Sequence, residues 1–217
     1  MPPRDLKLNV AQPLADRLAG GLEKIGLELD SAVQAKLLAY LDLLAKWNRI
    51  YNLTAVRKPE QMLARHLFDS LVIHSFLRGP QILDVGSGAG LPGIPLALAC
   101  PGYDFTLLDS NSKKTRFITQ AAAELGLSNV TVVQSRIDAY TTAGFDTIVS
   151  RAFSSLAEFA RAVQPRLAAD GILLAMKGVY PGTELAELPS LFRLEKNIKL
   201  QVPDLDAERN LLIIQQG

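Results

Sequence analysis

The sequence predicts an α/β chain: a helical extension over residues 1–79, then a mostly parallel sheet over residues 80–217 that closes in an antiparallel hairpin. Three observations predict it. Apolar residues before Gly79-Pro80 recur at helical spacing, whereas beyond that punctuation short apolar runs alternate with helical stretches. Strands separated by helices of that length form parallel βαβ units with right-handed crossovers. In the tail, residues 192–202 and 210–215 read as two strands with no helix between them, so they pair antiparallel.

Taken in order, the residues up to about Gln12 look like a loose end, with prolines at positions 2, 3 and 13. From Pro13 a helix places Leu14, Leu18 and Leu22 on one line and stops at Gly26. Asp30-Ser31 caps a second helix that runs through Leu37, Leu41 and Leu44 towards Trp47. Residues 48–58 follow neither period and read as a loop carrying Arg49, Arg57 and Lys58. Pro59-Glu60 opens a third helix with Leu63, Leu67 and Leu71 on its apolar line. Off that line lie Arg65, His66 and Asp69; the last two, three apart, have the spacing for one polar contact facing the glycine turn described below. Strands are expected near 81–85, 104–109, 130–134, 145–150 and 171–177, and helices near 92–100, 112–125 and 155–168.

The whole chain excludes several function classes. Its 217 residues suit one domain with an added subdomain. Lys plus Arg (23) barely outnumber Asp plus Glu (22), so any nucleic-acid surface must be local. One cysteine, Cys100, leaves no intrachain disulfide and reads as a buried small hydrophobe; with two histidines it makes no metal cluster, and no metal is expected. The first residues lack a signal-peptide core and no apolar run reaches the length of a membrane span, so the expectation is a cytoplasmic protein, monomeric and away from membranes.

The chemistry concentrates in residues 81–93, where an apolar run is broken by Gly86, Gly88 and Gly90. Such a turn brings main-chain amides against a nucleoside-bearing ligand. Gly88, Gly90 and Gly93 also match a dinucleotide fingerprint, but Asp84 argues against it: a carboxylate there repels phosphates and attracts a cationic cofactor, S-adenosylmethionine. Asp109 ends the next apolar run 21 positions after Gly88, the separation at which a carboxylate takes ribose hydroxyls. The competing reading makes both carboxylates helix caps.

Further candidates sit where strands end, since ligands bind there in open α/β sheets. Ile137 and Asp138 follow the third strand and could frame an adenine ring; Arg136 beside them faces RNA or solvent. Arg151 follows the fourth, where a guanidinium needs a carboxylate, a phosphate or an aromatic face; its structural alternative is an ion pair with Asp84 or Asp109. Lys177 ends the fifth and carries the same two readings. Lys113, Lys114 and Arg116 read as a solvated helix face, and Trp47 and Tyr51 as core or as a stacking pair.

Tyr51 to Val56, Arg65 to Leu71, Asp84 to Leu96 with its Gly-Leu-Pro-Gly-Ile-Pro, Leu107 to Ser110, Ser150 to Phe153 and Lys177-Gly178 together resemble the bacterial 16S ribosomal RNA guanine-N7 methyltransferases, the glucose-inhibited-division B family. The likeness runs from about residue 14 to 215. It implies the class I S-adenosylmethionine-dependent methyltransferase fold, a Rossmann-like sheet, with guanine 527 of 16S rRNA, in the small subunit or an assembly intermediate, as the target. It also implies a cofactor pocket involving Gly86, Leu91, Ile137, Asp138 and Arg151, beside Asp84, Gly88, Gly90 and Asp109. Arg151 and Lys177 are the candidates for positioning and electrostatic catalysis, and Arg49, Arg57, Lys58, Arg65, Arg136 and Arg209 those for RNA contact. Asn210 departs from the family, which usually carries histidine there. Guanine N7 has a lone pair and no proton, so no general base is needed, in keeping with the missing His-Asp or Cys pair. Two rival classes share the cofactor half: a methyltransferase of small molecules and a non-catalytic RNA-binding module.

Overall fold

The computed structural model describes residues 8–151, 153 and 155–217, with side chains from Pro13 onward. Helices α1 (Leu8–Lys24) and α2 (Ser31–Tyr51) are followed by a rod made of α3 (Pro59–Met62), a π-helical stretch (Leu63–Phe68) and α4 (Asp69–Leu71). The sheet follows: β1 (Gln81–Val85), α5 (Gly93–Ala99), β2 (Asp104–Asp109), α6 (Ser112–Leu125), β3 (Val130–Gln134), β4 (Phe145–Ser150), α7 (Leu156–Val163), β5 (Leu167–Lys177), α8 (Gly182–Ala186), β6 (Phe192–Lys199) and β7 (Asn210–Gln216).

Seven strands lie in the order β3-β2-β1-β4-β5-β7-β6, parallel except where β7 pairs antiparallel with β5 and β6. The chain winds outward from β1 through β2 to β3, then returns to the other side of β1 with β4. That reversal opens a crevice beyond the carboxyl ends of β1 and β4. Asp84 sits in the middle of the sheet there, opposite Leu107 on one side and Val149 on the other.

Alternation along β1 sends Ile82 and Leu83 to opposite faces, and each face has its own core. On the first, Ile82, Leu107, Val149 and Leu174 join α5, α6 and the buried leucines of the first seventy residues in one cluster. The helical extension therefore buries its apolar line against the sheet. Burying each such leucine contributes about 1.5–3 kcal/mol. On the second face, Leu83, Leu108, Ile148 and Leu173 pack under Leu156, Phe159 and Val163 of α7. Helix α1 packs closely at Gly21, where an added Cβ would run into the buried Phe68 ring.

The structure departs from expectation locally. Helix α1 begins at Leu8, because Pro13 removes one intrahelical hydrogen bond without ending the helix. Helix α2 continues to Tyr51 and is closed by Asn52 at φ 50°, so the loop starts at Asn52. Asn48 belongs to the helix, yet its buried side chain turns towards the loop, accepting from Thr54 N and donating to Val56 O. β5 starts at Leu167 because α7 gives way to one 3₁₀ turn at Gln164–Arg166. Cys100 is half-buried.

Candidate functional site

The first part of the site is built from backbone. Past Val85 the amides of Gly86 and Ser87 both donate to Leu108 O, at 2.8 and 3.1 Å, tying the turn to the end of β2. Gly88 has φ 61°, and a Cβ there would meet nothing closer than 3.9 Å, so conformation demands this glycine. At Gly90, with φ 84°, the demand is both conformational and steric, and at Gly93 it is steric: added Cβ atoms would come within 2.6 Å of Ile94 and 2.7 Å of Leu107.

Both carboxylates serve this turn. Asp109 accepts from Gly88 N at 2.9 Å and from Asn111 N at 2.8 Å, and Lys114 Nζ stands 3.7 Å away. Asp84 is 1% exposed; its Oδ2 accepts from Gly93 N, the first residue of α5, at 2.9 Å. Its Oδ1 has no hydrogen-bond partner among the described residues. Burial pushes the Asp84 carboxyl up to about 7; the Gly93 amide and the Arg151 charge oppose this, and Asp109 adds to it.

A cavity of about 320 Å³ lies in front of the turn, lined by Val85, Gly86, Leu108, Asp109, Ser110, Lys114, Ser135, Arg136, Ile137 and Phe153. It offers a carboxylate beside a glycine turn and apolar groups at Leu108, Ile137 and Phe153, a lining suited to a nucleoside. The expected cofactor residues divide. Gly86, Asp109 and Ile137 line this cavity, whereas Asp84, Gly88, Gly90 and Leu91 support the turn behind it. Asp138 is exposed and held by Arg136 at 3.2 Å, outside the lining.

Arg151 lines a second cavity, of about 270 Å³, together with Asp69, Met176, Lys177, Gly178 and Arg209. This part is built from side-chain charge. Asp69, buried at the start of α4, has Arg209 Nε 2.8 Å from Oδ1 and Arg151 Nη1 3.4 Å from Oδ2. The ion-pair partner of Arg151 is thus Asp69 rather than Asp84 or Asp109, since the rod preceding β1 delivers a carboxylate to the end of β4. Asp69 consequently makes no side-chain hydrogen bond to His66. Instead His66 Nε2 lies 3.0 Å from Thr54 Oγ1, and burial, with the Arg151 charge, pushes its ring down to about 4, so it is neutral at neutral pH.

The two cavities are linked through Arg151, which lines the second, and Phe153, which lines the first. Phe153 lines the first cavity, and its carbonyl accepts from Lys177 Nζ, which belongs to the second, at 3.3 Å. Lys177 also pairs with Glu184 at 2.9 Å, and Glu184 accepts from Leu156 N, the first residue of α7, at 2.8 Å. Buried Asn210 donates to Gly178 O at 3.1 Å and Glu208 Oε1 at 2.9 Å, fixing the strand end beside Lys177.

Of the basic candidates, Arg49, Arg57, Lys58 and Arg65 are exposed. The contacts from Asn48 to Thr54 and from Thr54 to His66 draw their parent segments together. Arg136 is exposed at the first cavity, and Arg209 is turned onto Asp69. Sequence reasoning missed Asp69 as the hub of the second cavity, Glu184 as its brace and Lys114 as a cavity residue. For Asp69 a signal was present: a carboxylate between Phe68 and Leu71, beside the apolar line of the rod.

The family model for GidB, rRNA small subunit methyltransferase G, matches residues 33–213. This chain belongs to the rRNA small subunit methyltransferase G family. Relatives in the rRNA small subunit methyltransferase G family include the proteins of that name from Nitrosococcus oceani, 52% identical over 90% of this chain and 92% of the relative. The protein of the same name from Chromohalobacter salexigens is 53% identical over 93% of this chain and 97% of the relative. Among solved structures, a TehB-like SAM-dependent methyltransferase from Corynebacterium glutamicum superposes with a TM-score of 0.56 at 18% identity, covering 73% of this chain and 94% of that one. The fold is the class I methyltransferase fold, as the motifs implied. Its methyl donor is S-adenosylmethionine, and the first cavity fits it.

Proposed function

We propose that this chain methylates N7 of a guanine in small-subunit ribosomal RNA, guanine 527 of 16S rRNA. The observation that carries the proposal is the pair of cavities beyond the end of β4, one lined by Phe153 and the other by Arg151. The first suits the methyl donor and the second, edged by three cations, suits an electron-rich purine edge and its phosphates. S-adenosylmethionine supplies an electrophilic methyl group on a positively charged sulfur. Asp109 would hold the ribose hydroxyls of this donor, Ile137 and Phe153 its ring, and the charge on Asp84 would favour its cationic end.

On the acceptor side, N7 enters with a free lone pair, so the chain has no proton to remove. Its groups there match that need: Asp69 is committed to arginines and His66 to Thr54. What remains is alignment and exclusion of water, for which a fixed wall and preplaced cations suffice. Arg151 and Lys177 are placed to hold the base, and an arginine bonded to O6 alone leaves N7 free to react. Arg49, Arg57, Lys58 and Arg65 supply phosphate contacts on the exposed helical surface.

Labelled S-adenosylmethionine incubated with small subunits, free 16S rRNA or a pool of small metabolites tests this. Label is expected on N7 of one guanine in RNA, with none on the metabolites. Label on metabolites alone points to a small-molecule enzyme, and binding of RNA without transfer to a non-catalytic module.

A further inference from the structure

The second cavity contains an arrangement that alignment of a base alone does not require. A single buried carboxylate, Asp69, is shared by two arginines brought from the end of β4 and the start of β7, one to each oxygen. Its side chain is 4% exposed, while Arg151 and Arg209 keep 27% and 22% of theirs accessible at the cavity. Two cations around one anion leave a surplus positive charge, and a buried carboxylate is costly unless so paired.

The donors are used unequally. Arg209 Nε makes a hydrogen bond to Asp69, and its Nη1 donates to Glu208 O at 2.9 Å. Arg151 Nη1 stands at ion-pair distance from Asp69 but is buried with no hydrogen-bond partner among the described residues. The buried Nη1 is thus tied to Asp69 by charge alone, which leaves the accessible part of the guanidinium to meet an acceptor. Immediately before Asp69 the rod turns π-helical over Leu63–Phe68, an irregularity that in helices accompanies functional sites.

Building on the acceptor role given to this cavity, we propose that Asp69 is a positioning residue for the base: it holds Nη1 of Arg151 and Nε of Arg209 so that the accessible part of the Arg151 guanidinium meets the purine O6. Asp69 touches neither base nor cofactor; it acts through the arginines. An adenine presents an amino group at that edge and would leave the donor unmatched, so the same device favours guanine.

The test uses the full-length protein with small subunits as substrate, comparing Asp69→Asn and Asp69→Glu with the unaltered chain. Melting temperature, S-adenosylmethionine affinity by calorimetry, kcat and KM for RNA are read together. Asp69→Asn is expected to bind the cofactor normally while kcat falls by roughly tenfold to a hundredfold. Asp69→Glu, which keeps the charge but moves it by one methylene, is expected to lie in between. If Asp69→Asn does not fold, Asp69→Glu alone decides, and wild-type kcat in it overturns the proposal. Unchanged kcat in Asp69→Asn also overturns it, as does a loss of cofactor affinity and melting temperature in step with activity. Should the unaltered chain label no RNA, the acceptor reading itself fails and this inference with it; active wild type with equally active variants defeats the inference alone.

Discussion

The cavity lined by Phe153 and the cavity lined by Arg151 are made in opposite ways. On the β2 side the walls are shaped by the glycine turn, tied by its main-chain amides to Leu108 and Asp109, and by residues at the ends of β2, β3 and β4, all drawn from residues 85–153. On the β5 side the walls are charged side chains from four elements, and Asp69 and Arg209 lie 140 positions apart. Backbone suits a ligand of constant shape, since a turn cannot easily shift. Ion pairs suit an acceptor that must be drawn in, read and released, because donors and charges can be exchanged for those of the substrate.

Substitutions can break this division. The largest effect is expected at Arg151→Ala: turnover on RNA should drop by about a hundredfold while calorimetric affinity for S-adenosylmethionine stays put. A matched loss of cofactor affinity would show that the cavities are not separable. On the other side, Asp109→Ala should weaken cofactor binding by about tenfold, ~1.4 kcal/mol, through lost charge-assisted hydrogen bonds. Calorimetry showing unaltered affinity would remove Asp109 from the ribose site.

Asp84 sharpens the comparison through pH, since it feels charges from both sides. With its carboxyl pushed up to about 7, it is largely protonated below that value and charged above it. A cationic donor favours the charged form, so affinity should climb between about pH 6 and about pH 8, with Asp84→Asn flattening the profile. Stability runs the other way. A folded-state value raised above the ordinary 3.8 means that the contribution is intact below about 3.8 and lost as pH rises through about 7. Asp84→Asn, which retains an acceptor for the Gly93 amide, should therefore gain melting temperature relative to the parent at alkaline pH more than at acid pH.

How much of this could be read from the sequence follows the same divide. The parallel strand-helix units and the closing hairpin rest on periods and punctuation within short windows, and the β1 turn rests on glycines within five residues of one another; the strand order, including β7 between β5 and β6, comes only from the structure. Asp109 was legible as a carboxylate closing an apolar run, and the structure brings it to the glycine turn, where it accepts from Gly88 N. Arg151 was marked as a costly cation, but its partner was not, since no local rule links the end of β4 to a helix before β1. Asn48 misled for a related reason: a loop-forming side chain seated inside a helix reads as loop. Asp84 was expected at the ligand, yet it lies beneath the turn, because Gly93 N claims one of its oxygens.

The insertion of β7 between β5 and β6 orders events during synthesis. A nascent chain that has reached Phe153 already contains every wall of the donor cavity, whereas the partner that completes the Asp69 bracket, Arg209, emerges some fifty residues later. If the roles proposed above hold, ribosomes making this protein release the donor cavity's residues first and complete the acceptor cavity last, so an unfinished polypeptide carries no closed bracket around Asp69.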